Sequence, residues 1–233
     1  MNFRRCGISL VATAMLSLVH NAALAQETVD IGGSKAVLLR PAAPHASVIL
    51  MPGGDGYIGA GPGGSITRLR GNQLVRTRDA YRARGLAVLV VDADIDLSGA
   101  VKYMAAIKRP VTVIATSRGT LRAAYGIAHG ARPDALILTS GFLTDESGGR
   151  ENVANILGSP AALPRTLVIE HRNDSCRWTL PAGVQPFIRW AAGRASVKWL
   201  EGGTSSGNPC EARAYHGFNG LDGQVVSLAA SFH

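Results

Sequence analysis

The chain has 233 residues, 46% hydrophobic and 17% charged, which excludes a disordered polymer and allows a buried core without auxiliary staples. Its formal net charge is +8, with basic residues scattered apart from one run, Arg68 to Arg84. No nucleic-acid motif accompanies that run, so it reads as a solvated helix face rather than a nucleic-acid surface.

The first 25 residues read as a signal peptide: Arg4-Arg5, an apolar stretch from Ile8 to Val19, then Ala23-Leu24-Ala25 before Gln26. The mature chain, 26–233, is of a length expected for one α/β domain. No later stretch reaches the roughly 20 apolar residues of a membrane span. Export places the chain in the periplasm or outside the cell. Cys6 leaves with the signal, and an oxidising compartment favours a disulfide between the remaining pair, Cys176 and Cys210.

Two short β-type runs, Thr28–Ile31 and Lys35–Leu39, flank Gly32-Gly33 and predict an antiparallel hairpin. Ser47–Met51 is a continuous apolar strand that stops at Pro52-Gly53-Gly54. The spacing then predicts a helix over Asn72–Arg84, a strand at Leu86–Val91 and a helix over Ala100–Lys108, with Asp94 and Asp96 in a solvated loop between the last two. Val111–Ala115 is another strand, Arg118–His129 a helix, and Ala135–Thr139 and Thr166–Glu170 two more strands. Phe142–Pro164 is weakly patterned and reads as a small lid or a loop over the sheet edge. Phe187–Ala192 belongs to a helix, Ser196–Leu200 is the last strand and Val225–Ala230 the terminal helix. Uninterrupted Val/Ile/Leu runs mean strands covered on both faces, hence a mainly parallel sheet with helices on either side.

The strongest signal is Val111 through Gly119, an apolar strand that runs into Ser117 with a helix immediately behind. That context suits a nucleophile elbow, whose tight turn lifts the serine hydroxyl above the sheet. Small residues at Ala115 and Gly119 let strand and helix approach closely. The usual pattern has glycine where Ala115 stands. The competing reading is that Ser117 simply N-caps the helix behind it.

A nucleophilic serine needs a base and an orienting acid, both later in the chain. Asp174 lies just past the Thr166–Glu170 strand. His216 lies in the long loop after the last strand, within Tyr215-His216-Gly217-Phe218. A Cys176–Cys210 bridge would tie the acid loop to the histidine loop. Pro52-Gly53-Gly54-Asp55-Gly56 is similar to the Gly-rich oxyanion loops of esterases, and Gly54 or Asp55 is the candidate amide donor alongside Arg118.

In this order of motifs the mature chain resembles the α/β-hydrolase superfamily, in particular its dienelactone-hydrolase-like and small esterase branches. The resemblance implies that Ser117 attacks an acyl carbon, His216 takes its proton and Asp174 holds the imidazole. It implies a small-molecule acyl substrate (an ester, lactone or thioester) and neither cofactor nor metal. No sequence feature sets an oligomeric state.

Three other readings compete. Gly54-x-Gly56-x-x-Gly59 matches a dinucleotide fingerprint, but Ala60-Gly-Pro-Gly-Gly64 follows where a helix should begin. A non-catalytic hydrolase fold would serve as a binding module. Asp92 is an alternative acid. His45, His129, His171 and His233 read as surface or packing residues, with no zinc spacing. Trp178, Trp190 and Trp199 read as core, Trp178 bordering the site.

Overall fold

In a computed structural model of the chain, Met1 and residues 26–232 are described. The signal-peptide reading and His233 lie outside the described residues. Eight strands form one sheet: β1 (Gln26–Ile31), β2 (Ser34–Leu39), β3 (Ala46–Met51), β4 (Leu86–Val91), β5 (Val111–Thr116), β6 (Ala135–Thr139), β7 (Arg165–His171) and β8 (Ala195–Leu200). Their spatial order is β1-β2-β4-β3-β5-β6-β7-β8. The hairpin β1–β2 closes on Ile31 opposite Ser34, and β2 adds antiparallel to β4. From β4 to β8 every pairing is parallel.

The continuous apolar runs are buried on both faces, as a parallel sheet requires. Alternate residues part company. Ile49, Leu89, Val113 and Leu136 face one core with Leu97, Met104, Ile127 and Phe187. Val48, Val88, Ile114 and Ile137 face the other with Leu74, Tyr81, Val225 and Val226. The first core is covered by α3 (Leu97–Ile107), α4 (Gly119–Ala128) and α6 (Val184–Trp190). The second is covered by α1 (Gln73–Arg76), α2 (Arg78–Ala83) and α7 (Asp222–Ala230).

Two expectations change, and the weakly patterned segment gains a structure. The helix predicted over Asn72–Arg84 is broken at Thr77 (φ −100°, ψ 2°), whose hydroxyl donates to the Gln73 carbonyl at 2.7 Å. A hydroxyl that bonds back one turn competes with the helical ladder. The helix expected from Ala100 begins at Leu97, because Asp96 caps it by accepting from the Ser98 and Gly99 amides, both at 3.0 Å. The Phe142–Pro164 segment is fastened down: Leu143, Val153 and Leu163 are buried in the core, and α5 (Val153–Leu157) follows a buried Asn152 cap. Among the described residues no helix is long and apolar enough to cross a membrane.

Candidate functional site

The carboxyl ends of the parallel strands all open on one edge, where open α/β sheets place their ligand crevice. Ser117 follows β5 near the middle of that edge, with φ +52°. Its amide donates to the Thr139 carbonyl of β6 at 3.0 Å, and its carbonyl accepts the Thr120 amide at 2.9 Å as α4 begins. The turn needs glycine at 119: a methyl there would come within 2.3 Å of the Met51 carbonyl oxygen. Strand β3 and helix α4 touch at that point.

Asp174 and His216 meet. The imidazole Nδ1 lies 2.9 Å from Asp174 Oδ2, and since a carboxylate only accepts, Nδ1 carries the hydrogen. The other oxygen, Oδ1, accepts the Cys176 amide at 2.9 Å. Both residues are buried, His216 at 5% and Asp174 at 4% exposure. Thr179, which sequence reasoning missed, completes the group. Its hydroxyl donates to Asp174 Oδ2 at 3.1 Å and sits 3.0 Å from His216 Nδ1. The Ser140 hydroxyl donates to the His216 carbonyl at 2.8 Å, fixing the backbone behind the ring.

Ser117 and His216 line one cavity of about 370 Å³, with Gly53, Gly54, Asn72 and Cys210 among its walls. Among the described residues the hydrogen-bonded chain ends at the imidazole, with no bond from it to the Ser117 hydroxyl. The Cys176–Cys210 disulfide joins the acid loop to the wall of this cavity. From the other side Arg76 grips the histidine loop. Its guanidinium donates to the Gly217 carbonyl at 2.7 Å and pairs with Asp222, also at 2.7 Å. Much of the Arg68–Arg84 run is thus engaged in ion pairs: Arg68 with Asp55, Arg76 with Asp222 and Arg82 with Asp79.

Of the three oxyanion candidates, Gly54 borders the cavity, whereas Asp55 and Arg118 are not among its walls; Arg118 is the residue directly after Ser117, and the Asp55 carboxylate pairs with Arg68. Gly53, not singled out from sequence, borders the cavity too. The loop is held from α4 by Arg122, which donates to the Pro52 carbonyl and, at 3.4 Å, to the Gly54 carbonyl. Gly56 leaves room for this guanidinium, since a methyl there would lie 2.5 Å from Arg122 Nη2. Burial and the neighbouring Arg118 charge push the Arg122 pKa down.

Asp92, the alternative acid, accepts the amides of Ile58 and, at 3.3 Å, Gly59, and so braces the Gly-rich loop instead. His171 packs: it is buried, stacks on Tyr215 with centroids 4.4 Å apart, and its Nε2 bonds the Gly202 carbonyl at 3.0 Å. Trp178 is no core residue but stands 42% exposed, while Trp190 and Trp199 are partly buried. Glu170, at the end of β7, is fully buried. Desolvation, then the Asp174 charge, pushes its carboxyl well above the ordinary carboxylate range. No group of three or more His, Cys, Asp or Glu among the described residues could hold a metal.

The fold has many solved relatives. The chain is similar to an esterase of Pyrococcus furiosus, at 14% identity and TM-score 0.61 over 90% of this chain and 91% of that one. It is similar to the esterase domain of a Rhodothermus marinus protein, at 13% identity and TM-score 0.58 over 88% and 97%. It is also similar to an alpha-beta serine hydrolase homologue of Coxiella burnetii, at 12% identity and TM-score 0.59 over 96% and 99%. No protein-family model and no curated protein sequence matches the chain. At such identities the likeness is one of fold: a mainly parallel sheet with helices on both faces, of the α/β-hydrolase type.

Proposed function

We propose that the chain is an exported serine hydrolase that cleaves a carboxylic ester, lactone or thioester through an acyl-enzyme on Ser117. The observation that carries this reading is the buried Asp174–His216 pair at 2.9 Å beside the cavity that Ser117 also borders. With Nδ1–H committed to Asp174, Nε2 is the nitrogen left to accept the serine proton. The serine–imidazole hydrogen bond forms with substrate in place, as is common where the ligand-free geometry is loose.

Ser117 Oγ attacks the acyl carbon as Nε2 takes its proton, and the carbonyl oxygen gains the negative charge. The Arg118 amide at the start of α4 and the Gly54 amide stabilise that oxyanion. The tetrahedral carbon then expels the alcohol, which leaves with the imidazolium proton. Water, deprotonated by His216, attacks the acyl-enzyme and releases the acid, and the proton returns to Ser117. Asp174 and Thr179 keep the imidazole in the working tautomer throughout. The mature domain is 26–233; the sequence of the first 25 residues and the Cys176–Cys210 bridge support export.

Turnover of short p-nitrophenyl esters tests the reading. Ser117→Ala should lower kcat/KM by at least about 10³-fold, given the size of nucleophile losses in such triads. Equal turnover by both proteins would transfer the fold to the binding-module reading.

A further inference from the structure

One space is lined by Ser117 and His216, a second by Arg118, the next residue along, and their charges differ. The cavity that holds both residues carries, apart from His216, a single ionisable wall residue, Glu211. The second is a groove of about 300 Å³ bordered by Arg118, Phe142, Arg150, Glu151 and Trp178. It starts one residue past the nucleophile, a Cα step of about 3.8 Å. Its far wall is fixed to the triad, because Trp178 stands between Cys176, held by the disulfide, and Thr179, held by Asp174 and His216.

Among the described residues neither Arg118 nor Arg150 has a hydrogen-bonding or ion-pair partner for its guanidinium, while Glu151 accepts from the Tyr125 hydroxyl at 3.2 Å. Arg177 stacks on the Trp178 ring, 4.6 Å from its centroid, and adds a third positive charge behind that wall. An exposed indole and Phe142 give the groove apolar sides. Two guanidiniums at an apolar groove suit a carboxylate on a short aliphatic or aromatic limb, which the fork of an arginine can bind in bidentate fashion.

We infer that this groove binds the anionic limb of the substrate, so that the preferred substrates are esters bearing a carboxylate on one side of the scissile bond. The inference rests on the hydrolase reading above. It assigns the uncharged limb to the Ser117 cavity, whose walls hold Glu211 and no arginine or lysine, whereas in the groove Arg118 and Arg150 outnumber Glu151.

Two matched pairs of esters test it: p-nitrophenyl valerate against p-nitrophenyl hydrogen glutarate, and phenyl butyrate against 4-carboxyphenyl butyrate. The quantity read is the anionic-to-neutral ratio of kcat/KM within one enzyme, corrected for the intrinsic lability of each ester. Any general loss of activity cancels from it. In the unaltered protein at least one pair should favour the anion, and the preference should fade with added salt. Arg150→Gln should cut that ratio about fivefold and Arg118→Gln by a similar factor, the scale of an exposed ion pair. Ratios that match between the unaltered protein and both variants, in both pairs, would overturn the inference while leaving hydrolysis standing. No turnover of any ester, with Ser117 unreactive toward a fluorophosphonate, would overturn the hydrolase reading and this inference with it.

Discussion

Ser117 holds a left-handed backbone (φ +52°) that costs a non-glycine residue about 1–3 kcal/mol, and its neighbours hold it there. Gly119 is the neighbour with no slack. Gly119→Ala should destabilise the fold by about 1–3 kcal/mol, the usual cost of overpacking, because its methyl meets the Met51 carbonyl oxygen at 2.3 Å. Chemical denaturation measures this, and an unchanged midpoint would contradict the close strand–helix contact. Glu170 makes a second residue-scale test. Its carboxyl is raised above the ordinary value of 4.5 in the fold. The native state therefore holds a proton that the unfolded chain releases. Stability from this group is complete below about pH 4.5 and is lost as pH rises toward the raised folded value, by at most about 1.4 kcal/mol per pH unit. Glu170→Gln, neutral at all pH, should flatten the stability–pH curve above pH 4.5. Parallel curves for the two proteins would contradict the assignment.

At the scale of elements, the site depends on how four loops are held at one sheet edge. Arg122, one turn into α4, fixes the Gly-rich loop through two carbonyls. Arg122→Met should lower kcat about ten- to hundredfold with little change in KM, a fraction of what losing a whole oxyanion donor costs. A change in KM alone would place Arg122 in substrate binding instead. The same elements show what was legible beforehand. Ser47–Met51, Leu86–Val91 and Ala135–Thr139 announced themselves as apolar runs, and the strands observed there agree to within a residue. The break at Thr77 was hidden because threonine is tolerated in helices until its hydroxyl finds the preceding turn. Asp96 reads as a loop residue in the sequence because capping depends on side-chain direction, not on composition.

For the whole molecule, the parallel sheet follows from uninterrupted hydrophobic strands, and chain order then delivers Ser117, Asp174 and His216 to one edge. That much could be read from Ala115 to Gly119, from the strand before Asp174 and from the two late cysteines. Thr179 and Arg122 could not. Their importance comes from contacts across 37 and 70 residues of chain, which no local pattern records. Gly53 and Gly54 were visible as a glycine pair, but only the folded loop separates them from Asp55. An activated Ser117 hydroxyl should react with a fluorophosphonate, and peptide mapping locates the adduct. One adduct is expected, on Ser117, absent from Ser117→Ala and formed far more slowly in His216→Ala. An unlabelled protein, or an adduct on another residue, would contradict that activation.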